Sequence, residues 1–164
     1  MAQYSAGWSA ITATAVADTV AFTAGQSYGF LRCGGATTMH KIHEVYLGGE
    51  DTASTPTQAI LARTSTISVG ALSVGTLALR DFNSTAPGTA PAWGSTAATT
   101  FPQRSATLYL LQLSLNTFGG ISRWQARYGE EITSFGNTAS GGEVIMSSKV
   151  GAGKTSGHIL FEAV

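Results

Sequence analysis

The spacing of hydrophobic residues along this chain predicts β-strands from one end to the other. Apolar and polar residues alternate, and turn-forming residues interrupt the alternation roughly every ten positions, as in sandwiches and barrels. The strongest signal is the segment 106–115, where alternate positions from Thr107 to Leu115 are large or β-branched. The opposite face carries Leu108 and Leu110, so we predict a central strand that is buried on both sides near its start.

Weaker segments of the same kind cover much of the remaining chain. The predicted extended segments are 12–22, 42–47, 59–63, 67–79, 121–126, 132–135, 143–147 and 158–164. The segment 12–22 is an opening strand pair or an arm, although its Ala-rich run is also compatible with a helix. For 59–63 the alternative is a short helix around 57–63. The last two segments are separated by a glycine-rich stretch, which predicts a closing β-hairpin.

Together these elements predict an all-β fold, a jelly-roll-like β-sandwich with a single domain. A chain of 164 residues is long enough to bury one substantial core, and nothing in the pattern indicates a second. We predict an N-terminal arm at 1–10, a sandwich domain at 11–164 and a long loop at 83–102, which is rich in Pro, Gly, Ser and Thr. The sequence has no fixed repeat and no heptad pattern.

Three aromatic residues in the predicted arm and loop are candidates for contacting a partner. Long loops are uncommon in compact domains unless they serve a function, and Trp93 is the candidate anchor of this one. A loop that folds back on its own domain, with Trp93 covering one end of the sandwich, is an equally good interpretation. In the arm, Tyr4 and Trp8 are the candidate contact residues.

Charge is sparse and balanced, which favours some partners and argues against others. The chain has 9 basic and 9 acidic residues, or 11% in total, against the roughly 25% typical of soluble domains. A chain with no net charge lacks the repulsion that keeps copies apart, so association with itself or with a partner is favoured. Nucleic-acid binding is not expected without a basic excess, and no apolar stretch approaches the ~20 residues of a membrane span.

One short motif near the C-terminus could be mistaken for a nucleotide-binding loop. Gly153, Lys154 and Thr155 match the end of a P-loop, but the position of the required earlier glycine is Ser148. Only one strand's length of sequence follows, at 158–164, which leaves no room for the helix and further strand that such a site requires. We therefore predict a turn between two strands.

The other polar residues do not form a catalytic or metal-binding pattern. His40 and His43 would point to opposite faces of a strand, which argues against a shared metal ion. The single cysteine, Cys33, is expected to be a buried structural thiol. The side chains of the adjacent Glu130 and Glu131 are also expected on opposite faces of a strand, so they do not form a carboxylate pair. The sequence contains no serine nucleophile motif. We expect no enzyme activity, no metal and no cofactor.

The C-terminal segment carries a series of short motifs. They are Trp124-Gln125-Ala126, Gly129-Glu130-Glu131-Ile132, Thr138-Ala139-Ser140, Gly142-Glu143-Val144 and Ile159-Leu160-Phe161-Glu162. In this order they resemble the end of structural proteins from tailed bacteriophages, namely small β-sandwich proteins of the capsid cement or decoration type. The resemblance covers about a quarter of the chain. Similar sequences tend to have prolines before the Gly-Glu-Glu motif, where this chain has Arg127 and Tyr128.

This resemblance implies a homotrimeric jelly roll on the outer capsid surface of a virion, where it clamps neighbouring subunits of the major capsid protein. It implies no catalytic residues. On this hypothesis the chain is made in the host cytoplasm and stabilises an icosahedral capsid, with Tyr4, Trp8 and Trp93 as contact residues. The alternative hypothesis is a carbohydrate- or receptor-binding module of a tail-fibre or lectin type, in which a tryptophan would stack on a sugar.

Overall fold

The structure is a computed structural model, and it describes residues 2–13, 27–66, 72–74, 77–80, 92–97, 102–136, 142–151 and 153–164. Within these ranges, the regular secondary structure consists of twelve β-strands and contains no helix. The strands are β1 (Ala2–Ala13), β2 (Ser27–Arg32), β3 (Met39–Gly49), β4 (Pro56–Thr66), β5 (Leu72–Val74), β6 (Leu77–Leu79), β7 (Ala92–Ala97), β8 (Gln103–Asn116), β9 (Ile121–Gln125), β10 (Ile132–Phe135), β11 (Glu143–Val150) and β12 (Gly153–Ala163). The segment 57–63, for which a short helix was the alternative, lies in a strand.

The strands form two antiparallel sheets, which confirms the predicted all-β class. Sheet A has the order β10-β3-β12-β1-β6, and β9 also pairs with β3. Sheet B has the order β5-β7-β2-β11-β4-β8. Strand β8, which contains the strongest hydrophobic signal, is therefore the last strand of sheet B in the described chain, and the prediction of a central strand is wrong. Leu113 and Leu115 of this strand still face the core, because alternate residues point to the same side whether a strand is central or at the edge of its sheet.

Strand pairing in the two sheets is nested. The first strand pairs with the last, β1 with β12, and the next pairs inward are β2 with β11, β3 with β10 and β4 with β8. Successive pairs alternate between the sheets, since β1 and β3 lie in sheet A while β2 and β4 lie in sheet B. The two halves of the chain therefore run side by side and cross together from one sheet to the other.

One hydrophobic core lies between the two sheets. It contains inward-facing side chains of sheet A, such as Val45, Ile159 and Phe161, together with Leu61 and Val144 of sheet B, all of them buried. These side chains alternate with polar or outward-facing neighbours, as the period of a strand requires. Because both sheets contribute to the same cluster, they pack face to face in the arrangement of a β-sandwich.

The first ten residues, predicted as an N-terminal arm, belong to sheet A from Ala2 onward. Strand β1 pairs with β12 on one side and with β6 on the other, and Ala6 is completely buried. The small residues of this segment have no strong hydrophobic period, so its pairing comes from the neighbouring strands. The region therefore forms part of the sandwich itself.

The predicted loop at 83–102 contains a strand. Residues Ala92–Ala97 form β7, which pairs with β2 and β5 inside sheet B. Residues 81–91 and 98–101 lie outside the described part of the chain. Trp93 and Gly94 lie opposite Leu31 and Phe30 in the sheet register, so this part of the segment is not a loop.

The predicted closing hairpin is also wrong. Strands β11 and β12 follow each other in sequence but lie in different sheets, because the chain crosses the sandwich at the turn that contains Gly151. The φ angle of Gly151 is 76°, a value that favours glycine. Gly153, Lys154 and Thr155 are extended in β12 and pair with β1. This position in a strand fits the prediction that they are not part of a phosphate-binding loop.

Candidate functional site

A cluster of charged side chains lies on the outer face of sheet A. Strand β3 contains an extra residue relative to β12, because Leu160 pairs with Glu44 whereas Phe161 pairs with Ile42. Such a β-bulge lets two successive residues avoid the core. Ile42 and Val45 remain buried on the inner side, and Glu44 is available on the outer side.

Glu44 is held between two neighbouring strands. Its Oε2 accepts a hydrogen bond from Nη2 of Arg123 on β9 at 2.8 Å, and its Oε1 lies 3.1 Å from Nε2 of His158 on β12. The imidazole ring of His158 stacks on the ring of Tyr46, with centroids 5.3 Å apart and planes 12° apart. Tyr46 lies directly opposite both His158 and Arg123 in the sheet register. Contacts with β9 and β12 therefore fix the orientation of this carboxylate.

The charges in this cluster support one another. The guanidinium of Arg123 beside Glu44 lowers the pKa of that carboxyl group, and the partial burial of Glu44 opposes this effect. The hydrogen bond with His158 lowers the pKa of Glu44 further. In return, Glu44 raises the pKa of Arg123. Glu44 is therefore a stable anion at neutral pH.

A hollow of about 430 Å³ opens beside this cluster, and we call it the sheet A hollow. Its lining residues come from all five neighbouring strands or their ends: Ser5, Glu44, Arg80, Arg123, His158 and Leu160. Glu44 with Arg123 and His158 forms one side, and Arg80 follows β6 at the opposite edge of the sheet. The described lining thus combines an anchored carboxylate, two guanidinium groups, an imidazole ring, a hydroxyl group and an aliphatic side chain.

Two further acidic groups lie near this face but do not form a carboxylate pair. Glu131 accepts a hydrogen bond from the backbone N–H of Gly129 at 3.1 Å, and backbone N–H groups lower its pKa. Glu162 lies 3.6 Å from Nε2 of His43. Glu143 belongs to sheet B and is buried, whereas Glu162 belongs to sheet A.

A different cluster lies inside the sandwich, near the ends of β2, β3 and β10. Sγ of Cys33 is 3.5 Å from Oγ of Ser134, and burial raises the pKa of this thiol, as expected for a buried structural cysteine. The ring of His40 packs against Phe161 at 5.0 Å, and burial lowers its pKa to about 4. His40 thus faces the core while His43 faces Glu162, which confirms that the two histidines point to opposite sides.

Sheet B presents no comparable open cluster in the described chain. Arg104 is completely buried, donates a hydrogen bond to Oγ of Ser147 at 3.3 Å and lies over the ring of Tyr109. A hollow of about 540 Å³ lies where β4, β8 and β11 end, beside Pro56 and Val150, and its described lining has no ionisable side chain. Among the described residues, no group of three or more His, Cys, Asp or Glu side chains could hold a metal ion.

A second exposed surface runs along one side of sheet A, and we call residues 118–135 the β9–β10 edge. Strands β9 and β10 pair end to end with β3, and no described strand pairs with their other side. Four of the seven exposed large hydrophobic residues in the described chain lie here: Phe118, Ile121, Tyr128 and Phe135. These residues are spread along the length of β3 between Gly48 and Met39. That length is about 30 Å, given the rise per residue of a β-strand.

The backbones of the predicted contact residues lie in two different sheets. The backbones of Tyr4 and Trp8 lie in β1, and that of Trp93 lies in β7. Their side chains fall outside the described structure, so their role as contacts stays a prediction. The third tryptophan, Trp124, packs against the core and is partly buried, which argues against its stacking on a sugar.

The sequence analysis did not identify the residues around the sheet A hollow. Glu44 is separated from Arg123 by 79 positions and from His158 by 114. The one local indication of this site in the sequence is the alternation of side chains along β3, which places Tyr46 on the face opposite to Val45. The strand pairing that joins the three groups has no local signature.

Comparisons with family models, with curated proteins and with solved structures find no match to this chain. In the described residues, no helix has the length and apolar character needed to span a membrane. The features that bear on function are therefore the two surfaces of sheet A and the motifs of the C-terminal segment.

Proposed function

We propose that this chain is a virion structural protein that binds the outside of an icosahedral capsid and stabilises it by clamping neighbouring major capsid subunits. The motifs of the C-terminal segment support the capsid as the partner, through their resemblance to bacteriophage cement proteins. The geometry supports a protein that adheres to other protein surfaces. These two kinds of support are independent of each other.

We infer a jelly-roll topology for the sandwich. The support is the nested pairing, in which β1, β2, β3 and β4 pair with β12, β11, β10 and β8 while successive pairs alternate between sheets. A long antiparallel ribbon wrapped around a core would produce this order. Such a fold places sheet edges and loops at the periphery, where a neighbouring subunit could contact them.

The observation that carries the proposed function is the line of apolar side chains on the β9–β10 edge. Exposed edge strands normally carry charged residues that prevent pairing with another chain. Here Ile121, Tyr128 and Phe135 are exposed beside unpaired strand backbone of the described sheet. A partner that covers this edge would bury apolar surface and could also supply backbone hydrogen bonds. We propose that this partner is the major capsid protein.

Self-association is part of the proposal. The chain has no net charge, so copies do not repel one another, and a homotrimer would present three copies of the edge to a capsid surface. Simultaneous attachment through several copies raises the overall affinity without any new contact. Light scattering on the purified chain tests this directly: a trimer is expected, and a monomer at micromolar concentration contradicts this part of the proposal.

The capsid contact is tested with the double variant Ile121→Thr/Tyr128→Thr. Threonine keeps the strand preference at Ile121 in β9, Tyr128 lies in the turn that follows, and both changes remove exposed apolar area. The fold is therefore retained, and capsid binding falls at least about tenfold. The measurement is co-sedimentation with empty capsids built from the major capsid protein of the same genome. Val150→Thr is the matched control, because Val150 is also exposed but lies on sheet B. Equal binding by the double variant and by the control would overturn the assignment of the edge.

A further inference from the structure

The sheet A hollow has the size and the construction of a small-molecule site. Its volume of about 430 Å³ lies within the usual range for such sites, roughly 300–1,000 Å³. The lining side chains come from hydrogen-bonded strands of one sheet and from the residue that follows β6. Groups on strands hold their positions more closely than groups on loops, so this lining is preorganised.

The charges around the hollow do not cancel. Glu44 is already paired with Arg123 at 2.8 Å and lies 3.1 Å from His158. The guanidinium of Arg80, on the opposite side, has no ion pair or side-chain hydrogen bond with any described residue. Two arginines and one glutamate leave one positive charge, which matches a single carboxylate on a ligand. A guanidinium binds a carboxylate through two parallel hydrogen bonds.

Glu44 adds a second requirement for the ligand. An ionised carboxylate only accepts hydrogen bonds, and each of its oxygens can accept more than one. Here each oxygen has one protein partner, so the remaining positions suit donors from a ligand. A phosphate would bring negative charge close to Glu44 and would offer it no donor at neutral pH. Hydroxyl groups supply the donors without repulsion, and the hydroxyl group of Ser5 can exchange hydrogen bonds with them.

We propose that the sheet A hollow binds a sugar that carries one carboxylate group, such as a uronic acid. Arg80 pairs with the carboxylate, Glu44 and Ser5 bind ring hydroxyls, and Leu160 packs against the apolar face of the ring. Arg123 and His158 are positioning residues, because they hold Glu44 in place. The groups that contact the sugar lie outside the β9–β10 edge, and of the described lining residues only the positioning residue Arg123 belongs to both surfaces. The sugar site therefore stands even if the capsid proposal fails.

The test is a titration of the complete chain, followed by NMR of the backbone amides, with methyl β-D-glucuronide as the probe. Methyl β-D-glucoside has the same hydroxyls without the carboxylate, and inorganic phosphate has charge without the sugar ring. Saturable shifts at β1, β3 and β12 are expected with the glucuronide, at an affinity at least tenfold higher than with either comparison compound. Equal affinity for the glucoside or for phosphate would overturn the proposal.

Two variants locate the site. Arg80→Gln removes the cation from an exposed position, and at least a tenfold loss of glucuronide affinity is expected. Arg127→Gln is the matched control, because Arg127 is equally exposed but lies outside the hollow, and it should bind as the unchanged chain does. Ser5→Val fills the hollow without changing charge, so it should also abolish binding. Unchanged affinity in both Arg80→Gln and Ser5→Val would contradict the proposal.

Discussion

The outer faces of the two sheets differ in their surroundings, although both arise from the same alternation of residues. On sheet B, Phe30, Ile60 and Ile145 form a cluster on the side opposite to the shared core, and all three are buried. On sheet A, Arg123 and His158 occupy the corresponding outer side and remain open to solvent. Sheet B is therefore covered on both faces at its centre, whereas sheet A has a wet outer face.

This difference shows where binding can occur. Along β11 the residues from Glu143 to Ser148 are all buried, so this part of the strand has no face that a ligand or another subunit could contact. The outer face of sheet A combines a hollow with an exposed edge, and its Glu44 is paired across strands with Arg123. Both of our proposals therefore concern sheet A.

The largest expected effect on stability is the contrast between an Ile→Ala substitution on the outer face of sheet B and the same substitution on sheet A. Ile145 is 1% exposed and Ile121 is 68% exposed. Ile145→Ala should lower the free energy of unfolding by about 4 kcal/mol, because it removes buried methyl groups and leaves a cavity. Ile121→Ala should change it by less than about 0.5 kcal/mol, since the side chain is already in water. Urea denaturation of both variants measures the contrast, and equal effects would show that the two faces are equally covered.

A second test concerns the inner face of sheet A and uses pH. Burial lowers the pKa of His40 to about 4, so between pH 6.5 and 4 the unfolded chain binds a proton that the folded chain does not. Stability should therefore fall as pH decreases through this range, by about 3 kcal/mol at pH 4.

The matching variant is His40→Leu, which removes the titrating group and keeps an apolar side chain beside Phe161. Neither ring nitrogen of His40 has a hydrogen-bond partner among the described residues, so no such bond is lost. The difference in unfolding free energy between pH 7 and pH 4 should be about 3 kcal/mol smaller in the variant. An unchanged pH dependence would mean that water reaches His40 in the folded chain.

A third test compares cations on the two sheets. Arg104 is buried on sheet B, where it donates to Ser147 and lies 5.8 Å from the ring centre of Tyr109. Arg104→Met should lower the free energy of unfolding by about 2 kcal/mol, the range for hydrogen bonds made by charged groups. Arg127→Met, at an exposed position beside sheet A, should leave the urea midpoint unchanged. A neutral result for Arg104→Met would show that methionine fills its place without loss.

The sequence predicted strands best where large apolar residues alternate. The segment 42–47 was predicted as extended and lies in β3, where Val45 and Leu47 are buried. Strands β1 and β7 were missed because Ala, Ser, Thr and Gly give little contrast between faces, and their pairing depends on neighbours distant in sequence. The glycine-rich stretch between β11 and β12 predicts a hairpin, whereas the chain crosses between the sheets there. A tight turn in the sequence does not specify which sheet the next strand joins.

The sheet A hollow was beyond prediction for a physical reason of its own. Its charged groups come from β3, β9 and β12, and the residue Arg80 follows β6. Their proximity depends on the order of strands in the sheet and on the extra residue in β3 that turns Glu44 outward. Neither feature follows from the local period of apolar residues, so only the assembled sheet brings these groups together.

The smallest expected effect concerns Glu44 itself. Glu44→Gln keeps the shape of the side chain but removes the charge that pairs with Arg123 and contacts His158. Because ion pairs near the surface contribute little, the free energy of unfolding at pH 7 should fall by less than about 1 kcal/mol. Arg123 lowers the pKa of Glu44, so the charged group stabilises the fold above pH 4.5 and loses this contribution as the pH falls below that value. The two proteins should therefore become equally stable in acid, as measured by urea denaturation at pH 7 and pH 3.

A loss above 2 kcal/mol, or one that persists at pH 3, would mean that Glu44 supports the fold in the way that the buried residues of sheet B do. A small loss that disappears in acid, together with weaker glucuronide binding, would instead mark Glu44 as a residue of a solvent-facing binding surface.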